Sequence, residues 1–377
     1  MIINRVAVGS MNTSDATVTE KDVMNGETIC NSEGLITGTA PFEYIGTEGE
    51  IDNYKILQDE MYILLPNGEK KLLKFGDVIN DNNWTFVEGP FTGDLCYGNG
   101  KFVKINANGN AAAYSTDGIT WTQVLLPISS QWYSVCYGNG KFVAVAFRKS
   151  IAVYSTDGIT WTQTSLPCSA DWYSVCYGKD KFVATSINGY YKSVYSTDGI
   201  TWTQTSLPSS SNDWRTVCYG KDKFVAIGET EITYSTNGIT WTQTISLPTD
   251  TTDLWIAVCY GNGKFVATGR GNGAVYSTDG ITWYQSNIGS SHLWSKICYG
   301  NGQFVAVCQN SSATPIAYST NSINWNVICY NNGSCHGLCY GNNKFVTSNN
   351  YGIYYKDDYI TQFTLKAVIF AKKIYKM

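Results

Sequence analysis

The sequence predicts an all-β protein, a seven-bladed β-propeller of four-stranded antiparallel blades that is preceded by a small N-terminal domain. The main observation is a Cys-Tyr-Gly triplet that recurs seven times at intervals of about 40 residues. A Tyr-Ser-Thr triplet recurs six times between these copies, with a degenerate seventh copy at Tyr354. A unit this short cannot bury its own apolar faces, so the copies have to stack on one another. The predicted domains are residues 1–78, a propeller at 79–363 and a C-terminal tail at 364–377.

The second copy shows how one repeat forms a blade. Its first stretch alternates bulky side chains on both faces, so we expect this strand to be covered on both sides. Two dipeptides that tolerate positive φ, Asn139-Gly140 and Asp157-Gly158, mark tight turns. The loop between the second and third strands differs from copy to copy. The four predicted strands are Trp132–Gly138, Lys141–Val145, Ile151–Ser155 and Ile159–Gln163.

Eight segments compete for the seven fourth strands. Asn83–Phe86 precedes the first Cys-Tyr-Gly copy and imitates a fourth strand, and Asp358–Phe363 imitates it after the last copy. We predict that the strand at Trp84 completes the last blade and so joins the two ends of the ring. The reverse assignment, with closure by the Phe363 strand, remains open at this point.

The segment from Tyr154 to Trp161 resembles the Asp-box repeats of sialidase-like propellers, with one residue fewer between aspartate and glycine. In that family the aspartate accepts hydrogen bonds within a turn and the tryptophan packs between blades. We therefore expect a structural role for the repeat aspartates. Asn237 and Asn321 replace aspartate in two copies, which a required carboxylate would not allow. The structural aspartates are Asp117, Asp157, Asp198 and Asp279.

The segment from Asp15 to Gly26, followed by Gly34 to Thr39, resembles a short motif of tail-fibre and baseplate-attached proteins from phages of Gram-positive bacteria. Such proteins join this motif to propeller repeats like those seen here. The resemblance implies an N-terminal attachment domain at residues 1–78 that docks on other tail or baseplate proteins. It also implies a homo-oligomer in a virion or a phage-tail-like bacteriocin (tailocin), assembled in the bacterial cytoplasm.

Composition excludes several classes of partner. The formal net charge is −4 and only 15% of the residues are charged, so we expect no nucleic-acid binding. No apolar run approaches the roughly 18 residues of a membrane helix, so no membrane insertion is expected. The chain start lacks the apolar core of a secretory signal.

Seven of the 12 cysteines occupy one position of the repeat. Stacked sheets lie about 10 Å apart, whereas a disulfide needs Cα atoms within about 7 Å, so equivalent cysteines should stay free. A Cys329–Cys335 bridge is sterically open but nothing in the sequence indicates it. With a spacing of about 40 residues and two histidines in the chain, we expect no metal site and no cofactor.

Comparison of the internal copies separates two faces of the propeller. The turns on one face are nearly constant, whereas the second-to-third loops and inter-blade connections on the other differ in every copy, as expected for binding loops on a rigid frame. Five tryptophans four residues before the repeat cysteine either ring the channel mouth or, as we prefer, pack between blades. The candidate ligand-binding residues of the diversified face are Arg148, Lys149, Tyr190, Tyr191, Arg270, Asn272, Asn310 and Tyr351.

These features and the resemblance predict a protein that is not an enzyme. The main hypothesis is a receptor-binding tail fibre that recognises a host cell-surface glycan or a surface-layer protein. The first alternative is a structural baseplate spacer. The second is a glycan-degrading enzyme, either a sialidase or a depolymerase, which is disfavoured because the chain has four arginines and lacks a clear pair of carboxylates on the diversified face.

Overall fold

The computed structural model is all-β, and its described residues contain no helix. It describes residues 84–187, 192–208, 213–228, 231–243, 254–309, 314–330, 333–349 and 352–357, together with short strands among residues 11–74. The chain divides into two compact units, Asn83–Asp357 and a second one that combines Met1–Asn82 with Asp358–Met377. Among the described residues, no helix is long and apolar enough to cross a membrane.

The N-terminal unit contributes five short strands. The first three form one antiparallel sheet in the order β1-β3-β2, and β4 pairs with β5 as the predicted hairpin, with Leu64 opposite Lys70. The predicted attachment role of residues 1–78 falls mainly on residues outside the described ones and stays a prediction. These strands are β1 Met11–Asn12, β2 Thr28–Asn31, β3 Gly34–Thr37, β4 Glu60–Leu64 and β5 Lys70–Lys74.

The described strands of the larger unit group into seven four-stranded antiparallel units, which we call blades 1 to 7. Blades 1 to 3 run from β7 to β17, and the long strand β14 is both the last strand of blade 2 and the first strand of blade 3. Their strands are β7 Leu95–Gly98, β8 Lys101–Ile105, β9 Gly109–Ser115, β10 Thr122–Ser130, β11 Trp132–Gly138, β12 Lys141–Ala146, β13 Lys149–Ser155, β14 Thr162–Gly178, β15 Lys181–Ile187, β16 Lys192–Ser196 and β17 Thr203–Ser206.

Blades 4 to 7 repeat the pattern. In blade 5 the second and third strands are continuous in β23, and β24 continues from blade 5 into blade 6. These strands are β18 Thr216–Gly220, β19 Lys223–Ile227, β20 Ile232–Ser235, β21 Thr242–Gln243, β22 Trp255–Gly261, β23 Lys264–Ser277, β24 Tyr284–Gly300, β25 Gln303–Cys308, β26 Thr314–Ser319, β27 Asn326–Tyr330, β28 Cys335–Gly341, β29 Lys344–Asn349 and β30 Gly352–Asp357.

Blade 7 is completed by the strand that follows Trp84, as predicted. This strand, β6 Thr85–Glu88, pairs antiparallel with β30, with Tyr354 opposite Phe86. The competing segment, 358–363, lies outside the described residues. Because β6 precedes blade 1 in the chain and β30 ends blade 7, the pairing joins the two ends of the repeat array.

The Cys-Tyr-Gly triplet closes the ring through contacts between neighbouring blades. A Cβ built on Gly138 would lie 1.9 Å from the ring of Tyr177 in the next blade, so only glycine fits. The same contact occurs at all seven glycines and returns from blade 7 to blade 1, where Gly341 lies against Tyr97. Each tyrosine also packs on the phenylalanine of its own blade, as Tyr177 does on Phe182 at 4.7 Å between ring centroids.

The turn before the fourth strand is built around the repeat aspartate, as the sequence predicts. Asp157 Oδ1 accepts hydrogen bonds from the backbone N–H groups of Ile159 and Thr160 and from the Ser155 hydroxyl, at 2.8 to 2.9 Å. Asn237 makes the same backbone contacts in blade 4. These bonds hold residues 159–161 in the turn, so the fourth strand begins at Thr162 and not at Ile159 as predicted.

Side chains of the first tight turn connect neighbouring blades on the same face. Asn139 Nδ2 donates to the carbonyl oxygen of Thr197 in the next blade at 3.1 Å, and Lys221 Nζ donates to that of Thr278 at 2.7 Å. Asn342 of blade 7 donates to Thr116 of blade 1 at 3.2 Å. The near-constant face is therefore constant because its side chains hold the blades together.

Candidate functional site

The candidate site lies where the first strands of the blades stop being alike. These strands neighbour one another in a closed series from β7 through β11, β14, β18, β22, β24 and β28 back to β7, so they form the innermost layer. From one residue before the repeat cysteine to two residues after it, all seven copies carry the same kinds of side chain. Two and three residues before the cysteine, they differ.

A β-bulge occurs at the third residue before the cysteine. In blade 2, Trp132 pairs with Ala146 and Ser134 with Val145, which leaves Tyr133 as the extra residue. The same register shift occurs in blades 3, 5, 6 and 7. Bulges re-aim side chains and are frequent beside active sites. We call the seven residues at this position the rim residues: Gly93, Tyr133, Tyr173, Arg215, Ile256, Ser295 and His336.

One sector of the rim is aromatic. Tyr133 and Tyr173 of neighbouring blades lie with ring centroids 5.0 Å apart, and Phe147 packs on Tyr133 at 4.7 Å. The Arg148 guanidinium lies over the Phe147 ring at 5.0 Å, and its Nε is 3.8 Å from Asp171 Oδ1. Burial raises the pKa of the Tyr133 hydroxyl, and the nearby Tyr173 raises it further.

The opposite sector, in blades 6, 7 and 1, carries charged and titratable groups. Lys296 Nζ of blade 6 lies 2.7 Å from Asp94 Oδ1 of blade 1, and the pair spans blade 7. His336 is the rim residue of blade 7, and its Nδ1 lies 2.8 Å from Gln309 Nε2 of blade 6. This sector therefore brings an imidazole and an ammonium–carboxylate pair to three consecutive blades.

Asp94 does more than the blade contact requires. Its Oδ2 accepts a hydrogen bond from the Val135 backbone N–H at 3.0 Å. At the same position Ser134 and Ser174 accept the equivalent bond from the next blade at 3.1 Å. A hydroxyl is thus sufficient for the inter-blade bond, and the second oxygen of Asp94 is what holds Lys296.

A buried lysine lies where blade 1 meets the connection from β6. Lys104 is fully buried at a position that is alanine in most of the other blades, and its Nζ donates to the Pro90 carbonyl oxygen at 2.6 Å. The Phe91 ring centroid is 5.3 Å from the same nitrogen. Burial lowers the pKa of Lys104 to about 7.

The repeat cysteines form a ring of free thiols deeper along the same strands, as predicted. Burial raises the pKa of Cys96, with smaller contributions from Cys339 and Asp94, and it also raises the pKa of Cys136 and Cys259. These thiols therefore stay protonated at neutral pH. Cys335 is a free, buried thiol, so it forms no bridge with Cys329. Among the described residues, no cluster of His, Cys, Asp or Glu is placed to hold a metal ion.

The structure locates only part of the predicted ligand face. Arg148 lies beside the rim, whereas Lys149 is exposed and pairs with Ala170, and Arg270 is exposed and pairs with Leu293. Asn272 lies in β23, and its side chain is outside the described part of the chain. The other predicted residues, which also fall outside it, are Tyr190, Tyr191, Asn310 and Tyr351.

The five repeat tryptophans are packing residues and do not ring the mouth. Each is at most 2% exposed, and Trp132, for example, lies in an apolar cluster with residues of blade 1. The tryptophan side chains are covered by the neighbouring blade, which confirms the preferred interpretation and makes the alternative of a stacking surface wrong. The buried tryptophans are Trp132, Trp172, Trp214, Trp255 and Trp294.

Comparison with solved structures supports the fold. The chain is similar to virginiamycin B lyase from Staphylococcus aureus, with 14% identity, a TM-score of 0.63 and coverage of 73% of this chain and 98% of that one. It is similar to a streptogramin B lyase, with 15% identity, a TM-score of 0.64 and coverage of 72% and 96%. The WD40 propeller domain of Doa1 matches with 12% identity, a TM-score of 0.56 and coverage of 72% and 96%.

These likenesses confirm an all-β propeller of antiparallel sheets. No protein-family model matches the sequence, and neither does any curated protein. None of the comparisons supports an Asp-box or tail-fibre family. The prediction of a non-enzymatic receptor-binding tail protein is wrong in its reasoning from the fold, because the lyases that share this architecture are enzymes. We do not retain that prediction or the exclusion of catalysis.

Proposed function

We propose that this protein is an enzyme that binds a small ligand at the rim and transforms it by proton transfer. The observation that carries the proposal is the gathering of His336, Lys296 and Asp94 in blades 6, 7 and 1, where the repeat otherwise needs none of them. An imidazole is the common general base of enzymes at neutral pH. The lyase activity of structural relatives makes elimination the first reaction to test.

The arrangement assigns a role to each group. His336 takes a proton from the carbon next to the bond that breaks, and the electron pair of the C–H bond forms the new double bond. The leaving oxygen or nitrogen departs with the electrons of the broken bond and receives a proton from Lys296. Asp94 holds Lys296 at 2.7 Å and so positions the ammonium group, while Gln309 orients the imidazole through Nδ1.

A substrate panel with matched histidine variants tests the proposal. Purified protein is incubated with esters, lactones, amides and glycosides, including quinupristin, the compound present in a structure of a catalytically inactive histidine-to-alanine variant of the S. aureus lyase. Products are followed by chromatography and mass spectrometry. We expect turnover of at least one compound that is lost in His336→Ala and kept in His292→Ala, which removes the other histidine. Unchanged turnover in His336→Ala, or no product from any compound, would overturn the proposal.

A further inference from the structure

We infer that the aromatic sector of the rim binds a planar ring that carries an anionic group, so the ligand belongs to the class of aromatic carboxylates or their phosphate analogues. The inference rests on the proposed function only in placing the ligand at the same rim. The faces of Tyr133, Tyr173 and Phe147 supply the ring contact, and the Arg148 guanidinium supplies the anion contact.

Arg148 has the geometry of an anion-binding group. Its side chain is 69% exposed although it lies over the Phe147 ring. The contact with Asp171 is made by Nε at 3.8 Å, which is too long for a hydrogen bond and leaves the two terminal nitrogens directed elsewhere. Those nitrogens form the fork that binds a carboxylate or phosphate through two parallel bonds. The nearby aromatic faces would stack on the remainder of the ligand.

The backbone of Arg148 indicates that this side chain is present for a purpose other than folding. Phe147 and Arg148 form the two-residue turn between β12 and β13, and Arg148 has a φ of 58°. Glycine or asparagine takes this left-handed conformation readily, whereas a long side chain pays a steric cost. The other positive-φ residues in the tight first turns of the described blades are asparagine, lysine, aspartate and glycine, which serve inter-blade bonds or turn geometry.

Loss of the guanidinium without loss of stability is the test that separates ligand binding from a structural role. Phenylacetate is the probe, and its dissociation constant is measured by ligand-observed NMR on the full chain. We expect Arg148→Gln and Tyr133→Leu each to weaken phenylacetate binding at least tenfold. Lys149→Gln removes the same charge from the adjacent residue and should leave the constant unchanged. Arg148→Gly should also lose binding, while its thermal midpoint stays equal to or above that of the original protein.

Two further probes define the ligand class. Cyclohexylacetate keeps the charge without the aromatic ring, and benzylamine keeps the ring with the opposite charge, so both should bind at least tenfold more weakly than phenylacetate. Equal weakening by Lys149→Gln, equal binding of benzylamine, or an Arg148→Gly protein that is destabilised but still binds would each overturn the inference. If phenylacetate fails to bind while His336-dependent turnover persists, only this inference falls. Phenylacetate binding by a protein that turns over nothing would overturn the proposed function alone.

Discussion

The two ends of the innermost strands follow opposite rules, although they are only a few residues apart. At the tight-turn end, every blade carries the same Cys-Tyr-Gly triplet because each glycine accommodates the tyrosine ring of the next blade. At the rim end, the β-bulge releases one residue from the ladder, and the seven copies place glycine, tyrosine, arginine, isoleucine, serine and histidine there. The comparison teaches that constancy among repeats marks assembly, and local diversity marks the place where the assembly is free to acquire chemistry.

The strongest way to break this comparison is to put a side chain on a constant glycine. Gly220→Ala places a Cβ 2.0 Å from the Tyr260 ring of the next blade. Because the ring cannot retreat without opening the blade interface, we expect a loss of about 3 kcal/mol or more in unfolding free energy, measured by urea denaturation.

Gly140→Ala is the matched control for this change. Gly140 lies in the adjacent tight turn with a φ of 70°, and a Cβ there meets nothing within 4 Å. It should cost only the strain of a left-handed alanine, about 1 kcal/mol. If the two variants are equally destabilised, backbone conformation and not the tyrosine contact explains the constant glycines.

The repeat aspartates offer a smaller effect at the same end of the molecule. Burial alone would raise the pKa of Asp157, but hydrogen bonds from the backbone of Thr160 and Ile159 and from Ser155 outweigh it and lower the pKa. Asp157→Ala removes these bonds, and we expect a loss of about 1–2 kcal/mol in urea denaturation at pH 7.

Asp157→Asn keeps an acceptor oxygen, as Asn237 does naturally, and should retain most of the stability. A depressed folded-state pKa means that the carboxylate's contribution is present at neutral pH and is lost as the pH falls through the folded pKa. The difference between the original protein and Asp157→Asn should therefore shrink in acid. A difference that is independent of pH would contradict the turn as the cause of the shift.

Lys104 tests the seam where the ring closes. Its folded-state pKa of about 7 lies below its ordinary value, so between pH 7 and about 10.5 the unfolded chain binds more protons at this site, and stability rises with pH. Lys104→Met removes the titrating group, so we expect the variant to gain most relative to the original protein at pH 6 and least at pH 9.

Urea denaturation at both pH values measures this difference. The buried thiols act in the opposite direction because their folded-state pKa is raised, but both proteins contain them, so their effect cancels in the comparison. A stability difference that does not change between pH 6 and pH 9 would show that Lys104 has the same pKa in the folded and unfolded chain.

The sequence was sufficient for the scaffold because scaffold residues repeat. The spacing of the triplets predicted the propeller, and Trp84 in a fourth-strand pattern predicted the pairing of β6 with β30. The site was only partly predictable. Arg148 was found from loop variation, but Tyr133, Tyr173 and His336 were missed because they sit inside a strand pattern and not in a loop. An alignment of the seven first strands would have shown their diversity, whereas the Lys296–Asp94 contact depends on ring geometry that no spacing contains.

The sharpest version of the comparison changes the same residue type twice within one strand. Tyr173 belongs to the rim and contacts Tyr133 at 5.0 Å, whereas Tyr177, four residues on, covers Gly138 and packs on Phe182. Tyr173→His introduces the residue that blade 7 carries at this position, and we expect it to cost less than about 1 kcal/mol of stability. Tyr177→His leaves a gap over Gly138 and should cost about 2–4 kcal/mol. Urea denaturation of both variants measures the contrast, and equal costs would mean that the rim is as much a part of the scaffold as the tight-turn end is.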